Sequence, residues 1–252
     1  MGQGGSLDRW PNLREAAYDS VLAQMQTFTE ARTPETPDVF WAVEHLPVFT
    51  LGVAGLLTHI HHAGNIPVVK TDRGGQVTYH GPGQVVIYTL IDLRRLGVSV
   101  RELVRRIEEG VLCMLRDLGV RSAQRVAGAP GIYLPQEPKA TDAADAAKGA
   151  DTPYRTTNRV NTQTQALLAG PGALKIASLG LKVRKGCCYH GVALNLDLDH
   201  GPFQQINPCG YPGLGTTDLR AQGIDLPWQA AADMLVDHLH ATLYLRESAH
   251  HA

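Results

Sequence analysis

The order of its periodic segments is the feature of this chain that most limits its fold. Strand-like runs fill most of positions 39 to 93, the clearest helical repeat extends from Ser99 to Leu118, and further strand-like runs precede a last helical repeat after Pro227. Strands grouped in this way do not follow the strict alternation of strand and helix that builds a doubly wound parallel sheet. The pattern therefore predicts an α+β fold with a mixed, mostly antiparallel sheet flanked by helices.

The ends of these segments carry local signals. Ser99 suits the N-cap of the central helix with Glu102 bonding back to it, and Gly119 suits the position just after the last turn. The other segments predict a helix within residues 13–31, strands over 39–44 and 47–51, a hairpin of strands over 173–183 and 189–198 joined through Arg184-Lys185-Gly186, and a last helix with Pro227 in its first turn.

Length and composition favour one cytoplasmic domain. The 252 residues, 44% of them hydrophobic, are enough for one large core, so we expect a single domain over residues 1–252. Residues 135–171 show neither helical nor strand periodicity and predict a surface insertion. No apolar run approaches the roughly 18 residues that span a bilayer, and no signal peptide is evident. A formal net charge of −1 gives no electrostatic basis for binding nucleic acid.

Of the four cysteines, Cys209 has the setting most suited to chemistry. It lies in Asn207-Pro208-Cys209-Gly210, a rigid polar loop in which a substrate can reach the thiol and a nearby cation would stabilise the thiolate. Cys113 falls inside the central helix, where a small buried side chain is the usual role. Cys187 and Cys188 are adjacent at the predicted turn and lack the Cys-x-x-Cys spacing of zinc and redox sites. Cys209 is therefore the candidate nucleophile.

A glycine-rich segment, Arg73 to Gln84, separates two apolar runs. Its glycines and proline are compatible with two tight turns, and equally with a loop whose main-chain N–H groups a ligand approaches closely, because glycine has no Cβ. The segment lacks the Gly-Lys-Ser/Thr ending of a phosphate loop, and no Gly-x-Gly-x-x-Gly opens a helix. Neither nucleotide-binding motif applies.

One lysine and two histidines are further candidates. Lys175 begins an otherwise apolar strand, either facing solvent at an edge or buried and paired. The triplet Tyr189-His190-Gly191 repeats Tyr79-His80-Gly81, and a glycine beside an imidazole leaves room for a substrate. A structural role is the alternative for both histidines.

A third group of histidines resembles a metal cluster without its full ligand set. His59, His61 and His62 are close in sequence, but no cysteine or carboxylate stands at ligand spacing from them. We therefore expect polar turn residues here and no metal site.

Taken together, these segments resemble the lipoyl(octanoyl) transferase family, also called lipoate protein ligase B. The match covers roughly residues 40–135 and 173–219. Its motifs occur in the family's order: Glu44-His45 with Pro47 to Gly52, Arg73 to Gln84, Lys175 to Gly180, His190 to Asn195, and Pro208-Cys209-Gly210. Several independent motifs in a fixed order make the match specific.

The resemblance implies a fold shared with biotin and lipoate protein ligases. It also implies a reaction in which an octanoyl or lipoyl group passes from acyl carrier protein to a lysine of lipoyl domains, in 2-oxoacid dehydrogenases and the glycine cleavage H protein, as the first step of endogenous lipoate attachment. The group would be held as a thioester on Cys209, with Lys175 as its partner and without ATP or a cofactor. The acyl site would be lined by Arg73, Gly74, Gly75, Gln76, Val77, Thr78, Tyr79, His80, Ser178, Leu179, Gly180, Gly191, Val192 and Ala193.

The chain departs from the family pattern at one place. The family joins the strand matching Gly131-Ile132-Tyr133 to the strand of Lys175 by a short connection, whereas this chain inserts Pro135 to Pro171. Because acyl carrier proteins are acidic, a basic docking surface is also expected. The candidates, for which an ordinary solvated face is the alternative, are Arg94, Arg95, Arg101, Arg105 and Arg106, and Lys182, Arg184 and Lys185.

Three other functions compete with this interpretation. An ATP-dependent lipoate ligase would share the implied fold, yet it would form an acyl-adenylate and need no nucleophilic cysteine. A papain-like hydrolase would pair Cys209 with His190 or His80. A noncatalytic module would bind the acyl chain without turnover.

Overall fold

The computed structural model describes residues 8–9, 13–135 and 172–245. Within these residues one large and one small β-sheet are packed with four α-helices. The strands are β1 (Asp8–Arg9), β2 (Leu13–Ala16), β3 (Val39–His45), β4 (Val48–Leu51), β5 (Val68–Lys70), β6 (Val77–His80), β7 (Gln84–Asp92), β8 (Gln124–Val126), β9 (Ala129–Pro135), β10 (Ala173–Arg184), β11 (Cys187–Asn195) and β12 (Gly215–Thr216). The helices are α1 (Tyr18–Ala31), α2 (Leu93–Leu96), α3 (Val100–Asp117) and α4 (Trp228–Tyr244).

The large sheet is mixed and mostly antiparallel. Its strand order is β1-β3-β7-β11-β10-β9-β8, with β2 also paired to β3 and β12 to β10. The five contacts from β3 through β8 are antiparallel, while β1, β2 and β12 add parallel pairs at its margins. The small sheet has the order β5-β4-β6. This arrangement confirms the α+β class predicted from the order of the segments.

Helices cover both faces of the large sheet. The apolar stripe of α3, including Leu103 and Ile107, packs with α4 and with Ile87 and Val192 of the central strands. On the opposite face, Met25 of α1 belongs to a second cluster with residues of β3, β7 and β11. Because helices cover both faces of the sheet, β7 and β11 are buried along their whole length. Strands in such a position are typically rich in apolar residues.

Ser99 and Gly119 bound the central helix as predicted, whereas the Glu102 carboxylate forms other contacts in place of the expected bond back to Ser99. The Ser99 hydroxyl accepts a hydrogen bond from the Glu102 N–H at 3.2 Å, and Gly119 follows the helix with φ +88°. The Glu102 carboxylate binds Arg105 and Arg106. No helix of the described residues is long and apolar enough to cross a membrane.

Three predicted boundaries differ from the structure. The first helix begins at Tyr18, because Leu13–Ala16 pairs as a strand with β3 while still directing Leu13 toward the apolar cluster beneath α1. Pro227 is the N-cap of α4 and lies just before its first turn. The second strand of the hairpin runs from Cys187 to Asn195 and not over 189–198, so both adjacent cysteines lie in a strand.

The turn of this hairpin explains the third difference. Lys185 and Gly186 both have positive φ, at +51° and +78°, which is the geometry of a two-residue type I′ turn. A turn this short lets pairing begin at once, with Arg184 opposite Cys187. The predicted insertion falls almost wholly outside the described residues, which stop at Pro135 and resume at residue 172.

A buried carboxylate ties three helices to the large sheet. Asp38 accepts hydrogen bonds from Arg32 at the end of α1, from Arg95 of α2 and from the Tyr244 hydroxyl of α4. The Arg32 side chain is only 2% exposed. Removing one partner of a buried ion pair leaves the other charge uncompensated, which costs about 3–5 kcal/mol.

We therefore expect Asp38→Ala to lower the free energy of unfolding by about 3 kcal/mol. Urea denaturation followed by circular dichroism measures this loss. Asp225→Ala is the matched control, because Asp225 is 81% exposed and pairs with an exposed arginine, an arrangement worth about 0–1 kcal/mol. A loss in Asp38→Ala as small as that expected for Asp225→Ala would show that the Asp38 contacts do not stabilise the fold.

Candidate active site

The central feature of the site is a contact between Lys175 and Cys209. The Lys175 ammonium donates a hydrogen bond to the Cys209 sulfur at 2.9 Å and another to the Pro130 carbonyl at 3.0 Å. It also lies over the Tyr133 ring, 5.0 Å from the centroid. Lys175 is 2% exposed, and β10 is paired on both sides at this point, with β9 and with β12. The lysine is thus buried and paired, not an edge residue facing solvent.

The pKa of Lys175 reflects this surrounding. Burial alone would lower the pKa of the ammonium, because it removes water from the charge. The negative charge of the Cys209 thiolate, together with Tyr133, outweighs burial and raises the pKa of Lys175 above its ordinary value. Burial also raises the pKa of Tyr133 to about 12. An ammonium held this way is suited to stabilising a thiolate.

Cys209 is held by the backbone of its loop. It lies in a short 3-10 turn, Pro208–Gly210, with φ +57° and ψ 14°, the left-handed region that few non-glycine residues adopt. The Gly210 N–H donates to the Asn207 carbonyl at 2.8 Å and closes the turn. The residue is only partly buried and lines a pocket, while its backbone is fixed.

The three clustered histidines have different environments. The Asn207 amide nitrogen lies 3.3 Å from His59 Nδ1, and its amide oxygen lies 2.9 Å from His61 Nε2. The Asn207 N–H also donates to the His59 carbonyl at 2.8 Å, whereas His62 is exposed. Two of the three histidines therefore fasten the loop that carries Cys209. Among the described residues, no group of three potential ligands is placed to hold a metal ion.

A pocket adjoins the Lys175–Cys209 contact and gathers residues from distant parts of the chain. It is lined by Tyr18, Arg73, Gly75, Gln76, Val77, Thr78, His80, Val86, Tyr88, Lys175, Ser178, Leu179, Gly180, His190, Gly191, Val192, Ala193 and Cys209. All the predicted acyl-site residues therefore reach its wall except Gly74 and Tyr79. The Gly74 N–H binds the Leu181 carbonyl, and the Tyr79 ring packs against Phe49 and Phe203 beneath the small sheet.

Three lining residues carried no usable signal in the sequence. Tyr18 comes from the first turn of α1, and its hydroxyl donates to the Thr71 hydroxyl at 3.1 Å. Val86 and Tyr88 lie on β7, a strand whose apolar run is typical of a core. Only the pairing of β7 with β11 brings them beside Gly191 and Ala193.

Arg73 lines the pocket, but its guanidinium forms hydrogen bonds with neighbouring groups of the protein. Its guanidinium donates to the Thr50 carbonyl and hydroxyl and to the carbonyls of Gly74 and Gln76, at 2.7 to 3.2 Å. These contacts hold the glycine-rich loop against β4. Burial lowers the pKa of Arg73 from its ordinary value, and the nearby charges of Tyr18 and Cys209 oppose that shift. Arg73 thus brings positive charge to the pocket and gives the loop its shape.

The two candidate histidines have partners other than Cys209. His80 Nδ1 lies 2.7 Å from the Gln84 amide oxygen, and burial lowers the pKa of His80 to about 3. His190 Nε2 lies 2.9 Å from Asp72, and burial lowers its pKa although Asp72 opposes the shift. Both imidazoles line the pocket, and burial favours the neutral form of each. The geometry therefore favours Lys175 over either histidine as the partner of the thiol.

The predicted basic surfaces are largely paired with acidic residues. Arg94 binds Asp92, and Arg184 and Lys185 bind Glu30. Arg105 and Arg106 share Glu102, as described above, and Arg95 binds Asp38. Docking of a carrier protein to these arginines remains a prediction.

Comparisons with known proteins agree with the fold and the motifs. The lipoyl protein ligase A/B catalytic domain family matches residues 17–240. An octanoyltransferase of Albidiferax ferrireducens is 49% identical over 231 residues, which cover 90% of this chain and 93% of the relative. An octanoyltransferase of Variovorax paradoxus is 50% identical over 228 residues, with the same coverage of both chains.

Solved structures share the fold at low sequence identity. A bipartite lipoate protein ligase of Thermoplasma acidophilum aligns with a TM-score of 0.63 at 12% identity, covering 94% of this chain and 85% of its own. A biotin protein ligase of Aquifex aeolicus aligns with a TM-score of 0.50 at 8% identity, covering 94% and 69%. The chain therefore belongs to the lipoyl protein ligase A/B catalytic domain family, with octanoyltransferases among its relatives.

Proposed function

We propose that this protein is an octanoyltransferase that moves an octanoyl group from the thioester of acyl carrier protein to a lysine of a lipoyl domain, through an acyl-thioester on Cys209. The observation that carries the proposal is the 2.9 Å contact between the buried Lys175 ammonium and the Cys209 sulfur at the pocket wall. The near-50% identity to octanoyltransferases supports the same reaction. The acceptors would be lipoyl domains of 2-oxoacid dehydrogenases or the glycine cleavage H protein, and the compartment the cytoplasm.

In the first step the Cys209 thiolate attacks the carbonyl carbon of the donor thioester. The new carbon–sulfur bond forms as the bond to the carrier thiol breaks, and Lys175 gives the departing thiolate its proton. The products are octanoyl-Cys209, the free carrier thiol and a neutral Lys175 amine. Donor and intermediate are both thioesters of nearly equal energy, so the exchange needs no ATP.

Acylation changes the balance that sets the pKa of Lys175. The charge of Cys209 is the largest contribution that opposes burial in the free enzyme, and a thioester carries no charge. Burial then dominates and lowers the pKa of Lys175, which prepares the amine to act as a base. In the second step Lys175 takes a proton from the acceptor amine as it attacks octanoyl-Cys209. The amide forms, the thiolate leaves, and the starting ion pair is restored.

The main chain of β10 supplies a candidate donor for the oxyanion. The Leu181 carbonyl accepts from the Gly74 N–H, so residue 181 directs its polar groups toward the glycine-rich loop. Backbone groups alternate along a strand, which turns the Leu179 N–H to the same side. Leu179 lines the pocket, and its N–H is the group we assign to the developing negative charge.

Incubation with octanoyl acyl carrier protein in the absence of ATP should leave one octanoyl group on Cys209. Intact mass spectrometry should detect it, hydroxylamine should remove it, and Cys209→Ser should lack it. Cys113→Ser is the matched control, because Cys113 lies on α3 beside Glu109 and Arg116 and should leave the adduct unchanged. An adduct that forms only with ATP would instead indicate a ligase.

Replacement of Lys175 should separate the two steps. Lys175→Arg keeps a positive charge beside the sulfur but cannot release its proton near neutral pH. The carrier thiolate would then leave unprotonated and take its proton from water, so octanoyl-Cys209 should still form and then accumulate. Transfer to a lipoyl domain should fall by about 100-fold or more, the usual contribution of a general base. Single-turnover kinetics with isolated octanoyl-enzyme measures that step.

Lys175→Met should impair both steps, because it also removes the charge that stabilises the thiolate. Circular dichroism of both variants checks that they fold. If Lys175→Arg transferred the octanoyl group at the wild-type rate, another group would be the base. If His190→Ala abolished transfer while Lys175→Met left it intact, the pairing assigned to Cys209 would be wrong.

A further inference from the structure

A buried carboxylate of α3 lies behind the Lys175–Cys209 pair and has no part in the acyl transfer described above. Glu108 is 8% exposed, and its carboxylate accepts a hydrogen bond from the Gly131 N–H at 3.0 Å. The neighbouring acids of the same helix, Glu102 and Glu109, are half-buried and bind arginines at the surface. Glu108 alone of these three points into the sheet.

One peptide group connects Glu108 to Lys175. The Gly131 N–H and the Pro130 carbonyl belong to the same peptide bond, and that carbonyl accepts the hydrogen bond from the Lys175 ammonium at 3.0 Å. In a trans peptide the N–H and C=O point in opposite directions. The carboxylate at one end and the ammonium at the other therefore polarise this peptide in the same sense, which strengthens both hydrogen bonds.

The backbone at this peptide is shaped by the lysine. Gly131 has φ +132°, and a Cβ at this position would lie 2.5 Å from Lys175 Cε and 2.7 Å from the Ala177 carbonyl oxygen. Only glycine lets β9 approach the lysine so closely. The Pro130–Gly131 peptide, which Glu108 binds, is thus in close contact with the side chain of Lys175.

We propose that Glu108 is a positioning residue for Lys175, which fixes the Pro130–Gly131 peptide and conveys its negative charge through that peptide to the ammonium. The charged groups around Glu108 are Arg125 of β8 and Lys175 of β10. Burial raises the pKa of the Glu108 carboxyl, and the Gly131 N–H, Arg125 and Lys175 oppose that rise. The inference rests on the proposed roles of Lys175 and Cys209.

The proposal makes the two steps depend on Glu108 in different ways. A negative charge behind Lys175 favours the ammonium, and hence the Cys209 thiolate on which the first step depends. It opposes release of the lysine proton to the departing carrier thiol, the transfer that leaves the neutral amine needed for the second step. A residue that served only to pack α3 against β9 would affect both steps alike, or neither.

Two substitutions separate the hydrogen bond from the charge. Glu108→Gln keeps an oxygen that accepts from the Gly131 N–H and removes the charge, whereas Glu108→Leu removes both. Glu109→Gln is the matched control, because it removes the adjacent carboxylate of α3, whose partners are Arg116 and Arg125. Thermal unfolding shows whether each variant folds.

The readout is the rate at which iodoacetamide alkylates Cys209, measured against pH in a background where the other cysteines are serine. We expect the midpoint of the profile to move to higher pH by about 0.5 to 1 unit in Glu108→Gln, less than the 1 to 3 units typical of an opposite charge in direct contact. Alkylation at neutral pH should then be about 3- to 10-fold slower. Glu109→Gln should match the wild type.

A double variant tests whether the effect of Glu108 on the alkylation of Cys209 passes through Lys175. In a Lys175→Met background, Glu108→Gln should no longer change the alkylation profile. A wild-type profile in Glu108→Gln would overturn the proposal, as would an effect that persists undiminished without the lysine. Alkylation needs no acyl donor, so a shift that depends on Lys175 would support the inference even if octanoyl transfer itself were not observed.

Discussion

The arrangement of the site depends on one constraint, which is that the ammonium of Lys175 is buried. A charge removed from water must be paired or neutralised, and three parts of the chain meet this requirement. The loop of Cys209 supplies the sulfur, β9 supplies the Pro130 carbonyl, and Tyr133 presents its ring. The glycine at position 131 follows, because a Cβ there would meet the Lys175 side chain.

Burial lowers the pKa of the histidines in and beside the pocket. Burial lowers the pKa of His45 to about 4 and of His80 to about 3, and each imidazole is satisfied by a neutral partner, Tyr88 or Gln84. Asp72 is the exception, since His190 and Tyr189 hold its carboxylate and lower its pKa. The positive charge at the pocket is therefore concentrated on Lys175 and Arg73. A thiolate or an oxyanion formed there would be stabilised mainly by these two cations.

Local patterns predicted the elements of the fold better than the composition of the pocket. The central helix kept its cap because Ser99 and Gly119 act through neighbouring backbone groups. Leu13–Ala16 was misassigned to a helix because its apolar spacing suits either element, and only the exposed edge of β3 decides between them. Val86 and Tyr88 could not be identified as lining residues, since their position depends on the register of β7 with β11.

The site itself was predictable from the sequence only in part. The Pro-Cys-Gly run gave Cys209 a reactive setting from its immediate neighbours, whereas the choice of Lys175 over the histidines rested on resemblance. The contact joins residues 34 positions apart, and no local periodicity reports such a distance. The buried position of Glu108 could not be predicted from the sequence, because a glutamate on an amphipathic helix is ordinarily expected to face solvent.

The buried lysine also explains why the partner of the thiol is a lysine and not an arginine or a histidine. The guanidinium of arginine would stabilise the thiolate permanently, while an imidazole in this interior would stay neutral, as His80 does. An amine lies between these limits: beside a thiolate it is held as an ammonium, and beside a thioester burial favours the neutral base. In the proposed reaction, the desolvation that makes Lys175 costly in the free enzyme would thus also favour release of its proton when Cys209 is acylated.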